Sequence, residues 1–193
     1  HRQFSRSARQ LFENRAEIRC IYQRMSLSNY SGVVLSRKYQ LPLILEYNGS
    51  EVWAQRNWGR KLVTERTSLA AEDLSLKHAH VVVTISEVLR QELIDRGVES
   101  KRIVMYPNCI DPAVFSPNLF SETDLKDLRS QYGIDEDKLV FCFVGTFGRW
   151  HGIEVLAQAV SKMVQEHSKF ISEKKVHFLL VGDGLLMREV REI

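Results

Sequence analysis

Five residues lying close together carry the clearest chemical suggestion in this chain. In "FCFVGTFGRWHG", residues 141 to 152, an apolar run ends at Gly145, Thr146 follows, and Arg149, His151 and Gly152 come just before a helical pattern. A glycine lets a ligand approach the backbone, Thr146 offers a hydroxyl, and a helix opening near Gly152 aims its free amides and positive dipole end at the loop. Arg149 and His151 add charge to the same place. Such a set suits a phosphate or diphosphate rather than a metal, and it describes a plain tight strand-to-helix turn equally well. The loop lacks the Lys-Ser/Thr ending of a P-loop and the full glycine pattern of a dinucleotide fingerprint.

Two other strand ends offer polar groups. "LLVGDGLLMREV" places Gly182, Asp183 and Gly184 at a second sharp exit, where a structural turn is the first reading and a ligand at the helix terminus the second. "LILEYNGSEVW" runs from an apolar strand into Glu46, Asn48, Gly49 and Glu51, at the carboxyl end where α/β proteins collect their substrates. Asn-Gly is also ordinary turn chemistry. His78 and His80 in "KHAHVVV" could coordinate a metal from one strand, but no carboxylate or cysteine follows at matching spacing, so no metal site is expected. With no Gly-x-Ser-x-Gly elbow and no Cys-x-x-Cys, hydrolase readings have little support.

These loops need a scaffold, and the chain supplies strand-like runs alternating with helical patterns. The runs are 19–24, 42–47, 80–85, 102–107, 138–144 and 175–181, several of them apolar almost throughout, as in strands covered on both faces. Ile153, Leu156, Ala157, Val160, Met163 and Val164 form one helical stripe. Ser86 and Gly97 bracket a helix after the third run, and Ser121 with Asp124 predicts a capped short helix. The alternation predicts an α/β fold of the doubly wound type with parallel sheets. At the N-terminus, Phe4, Ala8, Leu11 and Phe12 share a helical face beside Arg2, Arg6 and Arg9, which fits a helix covering the sheet better than one lying on anionic lipid.

Composition narrows the partners. The 193 residues are 44% hydrophobic and 26% charged, with 27 Lys and Arg against 24 Asp and Glu, a surplus too small to single out nucleic acid or an acidic membrane. Cys20, Cys109 and Cys142 are scattered and odd in number, which argues for a reducing, cytoplasmic setting without disulfides. No run approaches the length of a membrane span, and no signal peptide opens the chain. Because the chain starts at His1 and its second sheet has only two strand runs, an internal fragment is expected.

Taken together, "YPNCIDPAVFSP", "VFCFVGTFGRWHGIEVLAQAV" and "LLVGDGLLMREV" resemble the retaining glycosyltransferases of the group-1, or family 4, type, whose GT-B fold has two facing Rossmann-like domains. Pro107, Asn108, Ile110, Asp111, Phe115 and Pro117 match the family segment that joins the domains. Upstream, "LILEYNGSEVW" and "HAHVVVTISEVLRQEL" look like late strands of its acceptor-side domain. The resemblance implies parts of two incomplete Rossmann-like domains: residues 1–107 on the acceptor side, a linker at 108–137, and the start of the donor-nucleotide domain at 138–193.

It further implies transfer of a sugar, with retention, from a nucleoside-diphosphate sugar to a glycan or lipid-linked acceptor, as in polysaccharide biosynthesis. No cofactor and no nucleic acid are implied; peripheral contact with the inner face of the membrane is the remaining partner. In the family the loop at Gly145, Thr146, Arg149, His151 and Gly152 holds the donor diphosphate, with Gly182, Asp183 and Gly184 as a second donor-side loop and Glu46, Asn48, Gly49 and Glu51 on the acceptor side. Four positions depart from the family pattern: Thr146 stands for its Arg, His151 for its Lys, Cys109 for its Gly and Asn48 for its His. The family's Glu-x7-Glu pair falls beyond Ile193. Two alternatives stay open, a non-catalytic sugar-nucleotide-binding protein of the same fold and a GT-B sugar-nucleotide epimerase.

Overall fold

A computed structural model of the protein describes residues 7, 10, 12, 17–59 and 61–193. The chain divides into two compact units, His1–Cys109 and Ile110–Ile193. The first alternates strand and helix as β1 (Ile21–Arg24), α1 (Ser31–Tyr39), β2 (Leu43–Tyr47), α2 (Glu51–Trp58), α3 (Glu65–His78), β3 (Val81–Thr84), α4 (Glu87–Asp95) and β4 (Ile103–Met105). Its four strands form one parallel sheet in the order β1-β2-β3-β4, with Ile21 opposite Leu43, Ile44 opposite Val81 and Val82 opposite Ile103.

The side-chain period of two explains the packing of β2. Leu43, Leu45 and Tyr47 point to one face and are fully buried, while Ile44 and Glu46 on the other are half-buried. Val82 from β3 and Leu93 from α4 join the same core. Local signals set the helix ends. The Ser86 hydroxyl accepts the Leu89 amide at the start of α4, and Gly97, at φ +85°, turns the chain out of it while the Val98 amide returns to the Leu93 carbonyl. The expected N-terminal helix through Phe4, Ala8 and Leu11, with Arg2, Arg6 and Arg9, lies outside the described residues. Phe12 is described, and its ring stacks on Tyr39 at 4.6 Å.

The second unit contains α5 (Glu122–Gln131), β5 (Leu139–Val144), α6 (Ile153–Glu166), α7 (Ser168–Glu173), β6 (Val176–Val181) and α8 (Met187–Glu192). At α5 the expected cap is complete: Ser121 accepts the Asp124 amide and the Asp124 carboxylate accepts the Ser121 amide. β5 and β6 pair in parallel, Leu139 opposite Val176 through Val144 opposite Val181. Within this chain the β5–β6 pair is covered over part of one face. Phe143 and Leu180 pack with Ile153, Leu156, Met187 and Val190, but Leu139 and Phe141 are more than half exposed, and Cys142 and Val144 on the opposite face are exposed too. A parallel pair flanked by helices over only part of one face cannot bury two apolar faces. The α6 stripe follows suit, buried at Ile153 and Ala157 and half exposed by Val164.

Candidate functional site

The loop after β5 and the loop after β6 form one paired structure. The Gly145 amide donates to the Val181 carbonyl at 3.0 Å, the Phe147 amide to Asp183 at 2.8 Å, and the Leu186 amide to Phe147 at 3.0 Å. Phe147, buried against Ile153 and Leu186, plugs the space beneath them. This pairing explains the Gly-Asp-Gly. A Cβ at Gly182 would overlap the Gly145 carbonyl oxygen, and one at Gly184 would sit 2.7 Å from the Phe147 carbonyl oxygen. Asp183 Oδ1 accepts the Gly184 amide at 2.7 Å. Close packing of the two loops therefore accounts for both glycines.

Above that base, residues 149–151 make a single 3-10 turn. His151 Nδ1 lies 2.7 Å from the Thr146 carbonyl oxygen and 3.3 Å from Thr146 Oγ1. The carbonyl can only accept, so Nδ1 carries a proton and Nε2 is left for another partner. Gly152 adopts the left-handed conformation, φ +63°, and opens α6 with no side-chain cap. The first-turn amides have no partner within the helix, and the dipole end is positive. Arg149 is exposed, and among the described residues no carboxylate pairs with its guanidinium. Trp150 folds back so that its ring covers Gly148. One feature opposes an anion: Glu154 lies in the first turn of α6, and its Oε2 is buried without a hydrogen bond.

The third loop, after β2, divides its roles. Glu46 is already engaged: Tyr22 Oη and Asn48 Nδ2 donate to it at 3.0 and 2.8 Å, and Arg24 lies 3.6 Å away. Asn48, Gly49 (φ +121°) and Glu51 line a cavity of about 790 Å³ with Trp53, Trp58 and the carboxylates of Glu72, Asp73 and Glu92. A polar network forms one wall. Arg96 donates to Glu72 at 2.6 Å, to Asp73 at 2.7 Å and to Tyr47 Oη at 2.9 Å; Tyr47 Oη donates to Glu92 at 2.7 Å. Ser50 Oγ donates to Glu72 at 3.2 Å and accepts the Trp53 amide, capping α2. Burial, then the bond to Glu92, pushes the Tyr47 hydroxyl far above its ordinary range. Burial works against the charge on Arg96, and the bonds to Asp73 and Glu72 more than reverse that.

Tyr47, Trp53, Trp58, Glu72 and Arg96 escaped sequence reasoning because four separate elements bring them together. One signal was available. Glu72 lies on the face of α3 that buries Ser68, Ala71, Ser75 and Leu76, where a carboxylate demands a partner.

Elsewhere, His80 Nδ1 accepts the Leu43 amide at 3.1 Å, and the His78 ring rests 3.2 Å from the Arg37 guanidinium. Burial, then Arg37 and Lys77, hold His78 below the ordinary histidine range. Both line a cavity of about 380 Å³ with Arg37 and Lys77. It lies at the C-terminal ends of α1 and α3, whose negative dipole ends account for cations there. Among the described residues no group of three His, Cys, Asp or Glu could hold a metal, and no helix is long and apolar enough to cross a membrane. Cys109 is not among the residues with positive φ, so its place in the linker needs no glycine conformation.

An uncharacterized glycosyltransferase of Methanocaldococcus jannaschii is 28% identical over 144 residues, covering 74% of this chain and 36% of its own. The Escherichia coli K12 protein named as colanic acid biosynthesis glycosyl transferase WcaI is 25% identical over 115 residues, covering 60% of this chain and 26% of its own. The chain thus spans about a third of the length of the curated relatives it matches. Among solved structures, Anabaena HepE in complex with UDP and glucose superposes with a TM-score of 0.62 at 18% identity, over 84% of this chain and 40% of its own. A UDP-GlcNAc 2-epimerase from Neisseria meningitidis, bound to UDP-GlcNAc, gives 0.58 at 12% identity, over 97% and 48%. The α/β fold with parallel sheets is accordingly of the GT-B kind. The model of the glycosyl transferase 4-like domain matches residues 2–109, more than half of the sequence, and the chain belongs to that family.

Proposed function

We propose that this chain is the middle part of a retaining glycosyltransferase that moves a sugar from a nucleoside-diphosphate sugar to a glycan or lipid-linked acceptor. The observation that carries the reading is the glycine-packed loop that ends at the uncapped start of α6, with Arg149 exposed and without a carboxylate partner in it and His151 Nδ1 held on the Thr146 carbonyl. In this reading Gly145, Thr146, Arg149, His151 and Gly152 hold the donor diphosphate, and Gly182, Asp183 and Gly184 hold that loop in place. Negative charge grows on the nucleoside diphosphate as the glycosidic bond breaks. Positive groups and a helix N-terminus stabilise it more in the transition state than in the ground state, so the step needs no metal.

The division of labour follows the family. Residues 1–107 serve the acceptor, 108–137 connect, and 138–193 begin the donor-nucleotide side. HepE with UDP and glucose supports a nucleotide-sugar donor, and the name of WcaI supports polysaccharide synthesis. A cytoplasmic setting, at the inner membrane face when the acceptor is lipid-linked, belongs to the same proposal.

The fold likeness to the epimerase keeps a second reading in play. Incubating the full-length protein that carries this chain with UDP-, GDP- and ADP-sugars and a glycan mixture, then following anomeric signals by NMR, separates the two. A new glycosidic linkage with the donor's anomeric configuration supports transfer with retention. An epimerised free nucleotide sugar, or an inverted linkage, contradicts it.

A further inference from the structure

With the first unit serving the acceptor, the reading on which this selection rests, the cavity beside β2 has a composition that chooses among acceptors. Two features define it. Trp53 and Trp58 meet edge to face, centroids 4.8 Å apart, and both leave a substantial part of the indole open to solvent. Such a pair at the rim of a cavity offers an aromatic face on which the apolar side of a ligand can pack. Around them stand the carboxylates of Glu51, Glu72, Asp73 and Glu92 against the guanidinium groups of Arg56 and Arg96.

Neither arginine is free. Arg56 donates to Glu65 at 2.6 Å, and Arg96 is held by Glu72 and Asp73. The lining therefore presents acceptor oxygens and indole faces, with no uncommitted cation among the described residues. Acceptor capacity remains on Glu51 and on the second carboxylate oxygens of Asp73 and Glu92, which receive no hydrogen bond among the described residues. A sugar ring matches that surface. Its C–H face is apolar and packs on an indole, and its hydroxyls donate to carboxylate oxygens. A phosphate or pyrophosphate does not match, because it would enter among carboxylates without a cation to meet it.

We infer that the cavity formed by the loop after β2 with α2, α3 and α4 binds an uncharged glycosyl unit of the acceptor, with Trp53 as its stacking platform, and excludes phosphorylated sugars. The acceptor is then recognised by its glycan and not by a lipid phosphate.

The test is binding of the full-length protein that carries this chain to an oligosaccharide array holding neutral and phosphorylated members, with hits titrated by calorimetry. Neutral oligosaccharides bind, their phosphorylated counterparts do not, and Trp53→Ala weakens binding about tenfold or more while Trp53→Phe keeps most of it. UDP, GDP and ADP titrations run alongside. Trp53→Ala leaves nucleotide binding unchanged, and circular dichroism confirms that the variant is folded. Phosphorylated sugars binding as tightly as neutral ones overturn the inference, and so does binding insensitive to Trp53 or the absence of any neutral hit. Absence of nucleotide binding in the unmutated full-length protein would instead sink the donor-site reading and leave the glycan result standing.

Discussion

In the first unit β2 sends Leu43, Leu45 and Tyr47 into a core that covers them completely, whereas in the second β5 leaves Leu139 and Phe141 more than half exposed. The two strands read alike as apolar runs. They differ in company: β2 has a parallel strand on each side and helices packed on the core, while β5 has one partner. Cohesion in the first unit comes from area removed from water, reinforced by the Tyr47–Glu92–Arg96–Glu72 network. In the second it rests on a small cluster around Phe147 and on the pairing of two glycine-bearing loops. Within this chain the four-stranded sheet therefore carries the larger core, and the two-stranded pair is held chiefly by its loops.

Mutations can break this contrast in a definite order. Arg96→Ala leaves Glu72 buried without a cation and should cost about 3 to 5 kcal/mol, read as the urea midpoint of the first unit. Leu45→Ala should cost about 2 to 5 kcal/mol in the same measurement, and Val144→Ala on the open face of β5 no more than about 0.5 kcal/mol. Equal costs at the two sites would erase the distinction. Gly182→Ala pushes a methyl group into the Gly145 carbonyl and should destabilise the second unit by about 1 to 3 kcal/mol, seen as faster amide exchange at Phe147 and Leu186 with the first unit unaffected.

The smallest effect is a pH slope. His78 binds its proton less tightly when folded than when unfolded, so between its lowered folded value and about 6.5 the unfolded chain holds more protons. Its contribution to stability is present above about pH 6.5 and fades as pH falls through that window. His78→Gln should flatten the slope there, and an unchanged slope would remove His78 as its source.

The contrast also shows where sequence reading reaches its limit. All six strand runs became strands, and the caps at Ser86, Ser121 and Gly97 fell where short-range hydrogen bonding dictates, because capping depends on three or four neighbouring residues. Burial of β5 did not follow from its sequence, since the cover of a strand comes from elements distant in the chain. The pairing of the Gly145 and Gly182 loops was similarly out of reach: each glycine was visible, but their mutual contact is a tertiary fact. Trp53, Glu72 and Arg96 were missed for the same reason, coming from α2, α3 and the end of α4.

The central claim is that the loop from Gly145 to Gly152 holds a diphosphate through Arg149 and the start of α6. Calorimetric titration of the full-length protein that carries this chain with UDP, GDP and ADP, repeated with Arg149→Ala, tests it most directly. The account predicts that one nucleotide binds and that the variant loses about 1.5 to 3 kcal/mol, the worth of a hydrogen bond to a charged group. A folded chain that binds none of the three, or binds one equally well without Arg149, would contradict it.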